Sequence, residues 1–98
     1  MITSKGMNSI ANAILNLFDK AVVTADGVEY EYEIYSKEVK EDKLVVTIYI
    51  QDEFYGNISE KAIVDKERNK LLVNDINIDK SEDGLYVRFG IKLKEVLE

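Results

Sequence analysis

The chain has 98 residues, 46% of them hydrophobic and 33% charged, and a net charge of -6. That length suits one domain around one core, and the composition lies far from the disordered class. An acidic balance argues against nucleic acid, whose phosphates demand clustered cations, and the absence of Cys and His excludes disulfides, thiol nucleophiles, cysteine zinc sites and imidazole bases.

No apolar run approaches the roughly 20 residues that span a bilayer, so no membrane partner is expected. The opening "MITSKGMNSI" lacks the basic and apolar regions of a secretory signal. Synthesis and folding in a cytoplasm are expected.

In chain order, the first element is a helix over about 4–18. Met7, Ile10, Ala11, Ile14, Leu17, Phe18 and Ala21 recur at three- and four-residue steps and draw one apolar stripe. Thr3 or Ser4 is placed to cap it, while Gly6 weakens the first turn by about 1 kcal/mol relative to Ala. The stripe packs on a core; presentation to a partner's groove is the sharper alternative.

After Phe18 the period changes to two. A short strand, an Asp26–Gly27 turn suited to positive φ, and the alternating "VEYEYEIY" (28–35) follow. Val28, Tyr30, Tyr32 and Ile34 share one face; Glu29, Glu31, Glu33 and Tyr35 share the other. "KEDK" (40–43) reads as a polar turn, and "LVVTIYI" (44–50) turns Leu44, Val46, Ile48 and Ile50 inward. Its opposite face is also fairly apolar, which marks it as a central strand. "QDEFYGN" (51–57) is a loop, "ISEKAIVD" and "KLLVNDINI" are strands joined across "KERN", and "LYVRFGIKLKEV" is the last strand. One helix followed by five or six strands, from about 20 to 96, makes an α+β domain with the N-terminal helix on a mostly antiparallel sheet. A single domain over 1–98 is expected.

The candidate residues come from these faces. Glutamates two apart on a strand stand roughly 6.5–7 Å from each other, a separation that overlaps an inverting glycosidase pair. Every such acidic pair satisfies it, so the overlap is weak. Three stacked like charges call for a partner, and Arg88, Lys92 and Lys94 line one face of the last strand at the same period. The two stripes meet either within one sheet or between subunits. Tyr35, Tyr49 and Tyr86 fall on outward faces, and Tyr is enriched where proteins meet. Asp52 and Glu53 beside Phe54 and Tyr55 are too few for a calcium loop, and "DKSEDG" (79–84) is ordinary turn material. No catalytic, cofactor-binding or metal-binding residue is expected, and no cofactor.

Read in order, the segments resemble a small domain at the start of bacteriophage tail-fibre and baseplate-associated proteins. "ITSKGMNSIANAIL" (2–15) is similar to that family's opening helix. "YGNISEKAIVDKERNKLLV" (55–73) follows its middle pattern through Gly56, Ile58, Glu60, Ile63, Asp65, Leu71 and Leu72, and "DKSEDGLYVRFGIKL" (79–93) fits its closing strand. Ala62 stands where the family prefers Gly, and the loop after the first strand is reduced to "TADG". The resemblance implies a structural attachment domain, made in a bacterial cytoplasm and carried in the virion tail. Its partners would be other tail proteins or further copies of itself. The alternative is a small acidic monomeric module, inhibitor or immunity-like, that masks a basic protein. A paired-carboxylate enzyme comes third and requires a pocket holding two of Glu29, Glu31, Glu33, Asp52 and Glu53.

Overall fold

A computed structural model describes residues 1–40, 43–51, 56–80 and 84–94. The acidic centre of the 40–43 turn, the loop residues Asp52, Glu53, Phe54 and Tyr55, and residues 81–83 of the last turn lie outside them.

Helix α1 spans Ser4–Leu17. Thr3 is its N-cap, and its hydroxyl accepts from the Gly6 N–H at 2.9 Å, which satisfies one of the open donors of the first turn. Among the described residues seven strands follow: β1 Lys20–Ala25, β2 Val28–Glu33, β3 Ser36–Lys40, β4 Lys43–Ile50, β5 Gly56–Val64, β6 Lys70–Lys80 and β7 Leu85–Lys92. The fold is α+β, with the helix packed on antiparallel strands, as the patterning implies. The strands divide between two sheets, ordered β2-β1-β5-β6 and β3-β4-β7. Every recorded strand pairing is antiparallel.

The β1–β2 hairpin turns on Asp26 and Gly27, at φ 50° and 81°. A two-residue hairpin turn with positive φ at both centres matches the twist of its strands. The alternating stretch then breaks. β2 ends at Glu33, and β3 begins at Ser36 in the other sheet, so Ile34 and Tyr35 carry the chain across.

One hydrophobic cluster joins both sheets and the helix. Ala21, Val23 and Ala25 of β1 and Ile58 and Ile63 of β5 share it with Leu44, Val46, Ile48 and Ile50 of β4 and Val87 and Phe89 of β7. The inward residues of β4 are all fully buried, and β4 is the middle strand of its sheet.

From the helix, Ala11, Leu15 and the C-cap Phe18 enter the core, while Ile10 and Leu17 stay exposed. The face that packs is therefore shifted from the predicted stripe, since Leu15, outside it, is buried while Ile10 and Leu17, inside it, are exposed; α1 packs chiefly on β3 and β4. Its last turn carries no basic residue; β3 supplies one. Lys37, on the core-facing side of β3 by its register with Val46, donates from Nζ to the carbonyls of Leu15 at 3.0 Å and Phe18 at 2.9 Å. A cation there satisfies open carbonyls and complements the negative end of the helix dipole. Lys61 of β5 plays a similar part between the sheets. Its ammonium donates to the Arg88 carbonyl and sits 4.7 Å from the Phe89 ring centre, and burial lowers its pKa.

Candidate interaction surface

The acidic stripe lies on the outer face of the four-stranded sheet. Register sets Glu29 opposite Thr24, Glu31 opposite Val22 and Glu33 opposite Lys20, and Val22 opposite Ala62 on the far side. Glu31 is held by Arg68 and, at 3.2 Å, by Lys20, which also reaches Glu33 at 3.3 Å. Lys70 bridges Glu29 at 3.3 Å and Glu60 at 3.1 Å. Arg68 and Lys70 come from the β5–β6 connection and its far strand. Asp65 shapes that turn by accepting from the Glu67 and Asn69 N–H groups, both at 2.9 Å, and Arg68 sits at φ 71°.

This replaces the partner expected for the glutamates. Arg88 and Lys92 belong to β7 of the other sheet and Lys94 lies just beyond it. Among the described residues none of the three forms an ion pair with Glu29, Glu31 or Glu33. Sheet membership decides this, and residue periodicity carries no information about it.

A groove of about 330 Å³ does gather Glu29 and Glu31, beside Val22, Val64, Arg68 and Lys70. Glu31 in it is not poised as a general acid. The hydrogen bond from Arg68, more than that from Lys20, holds the Glu31 pKa below its ordinary value, whereas a general acid needs it raised. Lys20, Arg68 and Lys70 are correspondingly raised, chiefly by hydrogen bonds to Glu31 for the first two and Glu60 for the third. The glutamates form a ladder of ion pairs that roofs the apolar floor of the sheet.

The tyrosines come together on the outer face of the three-stranded sheet. Tyr49 and Tyr86 are register partners across β4 and β7, with ring centres 4.8 Å apart, and Tyr35 meets Tyr86 edge-on at 5.6 Å. The Tyr35 N–H donates to the Thr47 carbonyl, which ties the crossover residue to β4. All three rings remain open to solvent, at 65% for Tyr35, 37% for Tyr49 and 57% for Tyr86. Repulsion from Tyr35 and a hydrogen bond with it raise the Tyr86 pKa.

The rest of that face follows from register. Beyond the tyrosines come Ser36, Thr47 and Arg88, then Glu38, Val45 and Gly90, then Lys40, Lys43 and Lys92. Aromatic residues hold one end, small residues the middle, and three lysines the other end. Arg88 stands between, and Glu38 is the one carboxylate of these rows. A groove of about 650 Å³ runs from Tyr35 and Tyr86 to Lys40 and Lys43. A second, of about 610 Å³, opens on the other side of Tyr35, lined by Glu31, Glu33, Tyr49 and Gln51 among others. The structure thus brings Tyr35, Tyr49, Tyr86, Arg88 and Lys92 onto one surface, with Glu31 and Glu33 at its margin.

Lys20, Arg68 and Lys70, which hold the glutamates, were not singled out by sequence. The positive-φ turn around "KERN" gives no local sign of where its cations reach. Lys37 and Lys61 face inward only because of the break at Ile34–Tyr35 and the register shift between Ile58 and Glu60, and simple alternation shows neither. Among the described residues no group of three or more Asp and Glu side chains is placed to hold a metal ion. No helix there is long and apolar enough to cross a membrane.

No family model, no curated protein and no solved structure matches the chain.

Proposed function

We propose that this chain is a structural, non-enzymatic tail component of a phage or prophage, of the fibre or baseplate, working through protein–protein assembly. The observation that carries the assembly part is the solvent-open cluster of Tyr35, Tyr49 and Tyr86. Tyrosine combines a large apolar body with a polar tip at low rotamer cost, which is why it anchors contacts between proteins. Three such rings packed on each other, flanked by cations on one side and carboxylates on the other, suit a surface that meets another protein. The tail assignment rests on the similarity of residues 2–15, 55–73 and 79–93 to the attachment domain.

The acidic masking module fits less well. A protein that captures a basic partner needs several free carboxylates, and Glu29, Glu31 and Glu60 are held by Lys70 and Arg68, which leaves Glu33, sharing Lys20 with Glu31, as the open one of the four.

The test is immunogold microscopy and mass spectrometry of phage particles purified from induced cells that encode the chain. Label on the tails, with the chain present in stoichiometric amount, is expected. Intact particles that lack the chain would overturn the assignment.

A further inference from the structure

We propose that the Tyr35–Tyr49–Tyr86 surface is the centre of a two-fold contact with a second copy of this chain. A symmetric dimer uses the same patch on both subunits, so the patch must complement itself. A patch of one sign would repel its own copy. Here the aromatic centre is flanked by opposite net charges: Glu31 and Glu33 line the groove on one side of Tyr35, and Arg88, Lys40 and Lys43 line the groove on the other, where Glu38, paired with Lys40 at 3.5 Å, is the single carboxylate. Rotation by 180° about an axis through the tyrosines lays the acidic flank of one copy on the basic flank of the other, twice. A partner of a different sequence would need only one of the two signs.

Glu33 on the acidic side and Arg88 on the basic side are the groups open for this. The Glu33 side chain is 83% exposed, and its ion pair to Lys20 is shared with Glu31. Arg88 is exposed, and among the described residues its guanidinium has no carboxylate partner, while its main-chain carbonyl accepts from Lys61. Lys92 is exposed in the same way at the far end of the face.

Size sets the strength. Two strands of eight residues and one of five, about 4.8 Å apart at about 3.4 Å per residue, give a plane of only a few hundred Å². That is below the roughly 800 Å² per partner of a standard interface. The dimer is therefore weak and salt-sensitive, with oppositely charged flanks fixing its orientation more than its affinity.

This inference rests on the assembly reading only in taking the surface for a protein contact. Particles that contain the chain while the purified chain stays monomeric would sink the dimer and leave the tail assignment standing.

The decisive experiment is sedimentation velocity on Glu33→Lys, on Arg88→Glu and on their equimolar mixture, with circular dichroism melts to confirm folding. In a two-fold contact each variant alone sets like charges together, so each dimerises about tenfold more weakly than the parent chain. In the mixture both contacts pair opposite charges, and a discrete heterodimer forms at parent affinity. A parent chain that is monomeric throughout, variants that match the parent, or a mixture no better than its components would each overturn the proposal. An open series of larger species would contradict the two-fold axis. Should either charge variant fail to fold, Tyr86→Ser at the centre replaces it, and undiminished dimerisation of that variant overturns the proposal equally.

Discussion

Tyr49 and Tyr86 face each other across β4 and β7 with ring centres 4.8 Å apart, and neither ring enters the core. The pair sits outside the sheet whose inner side is filled by Ile48, Val87 and Phe89. Truncating Tyr86 therefore removes contact surface without opening a cavity. Tyr86→Ser is expected to leave the thermal unfolding midpoint nearly unchanged while weakening self-association at least tenfold. A melt as damaged as that of a core variant would show that the ring belongs to the fold.

Lys37 is the reverse case, a charged residue whose value is structural. Its ammonium supplies the donor that the C-terminal carbonyls of α1 lack. Lys37→Met keeps the stem and deletes the charge, which should cost about 1–2 kcal/mol through lost charged hydrogen bonds and dipole complementarity. Urea unfolding checks this. A loss below a few tenths would mean that water serves those carbonyls equally well.

Glu31 gives the fold an acid-sensitive component. Its folded pKa lies below the ordinary value of 4.5, chiefly because of Arg68. A depressed carboxyl stabilises the fold above its unfolded pKa, and that contribution is lost as pH falls from about 4.5 through the lower folded value. Glu31→Gln should be less stable than the parent at neutral pH, with the gap closing as pH falls through that window. Added salt should shrink the gap, since the pair is on the surface. An offset that stays constant from neutral to acid pH, followed by urea unfolding, would remove Glu31 from the ledger.

Gly27 holds φ at 81° in the β1–β2 turn, with open space where a Cβ would stand. A substitution there meets no neighbour, so its cost is that of the left-handed backbone alone. Gly27→Ala should lose about 1 kcal/mol, and Gly27→Asn, which tolerates that region better, should lose less. Equal losses in the two variants would point to something other than backbone conformation.

Much of this fold is written in local periodicity. The three- and four-step stripe gives α1, and the two-step rows give β1, β2, β4 and β7 together with the inward set Leu44, Val46, Ile48 and Ile50. The Asp26–Gly27 turn is equally plain. β3 is harder to read, because "SKEVK" carries one apolar residue, Val39, and its inward Lys37 breaks the row. The division into two sheets is invisible at this level. Alternation says which side a residue faces, while pairing depends on strands far away in sequence, and the break after Glu33 leaves no mark in "VEYEYEIY". For the same reason the glutamates pair with Lys20, Arg68 and Lys70 and not with the lysines of the last strand. Tyr35, Tyr49 and Tyr86 were legible as outward residues; that they form one cluster depends on the crossover at Ile34–Tyr35.

Self-association through the tyrosine surface is tested most directly by sedimentation velocity of the unmodified chain and Tyr86→Ser, over a wide concentration range at low and high salt. A discrete species larger than the monomer is expected for the unmodified chain, dissociating on dilution and in high salt, with Tyr86→Ser remaining monomeric. A single monomer-sized boundary for both proteins under every condition would contradict it.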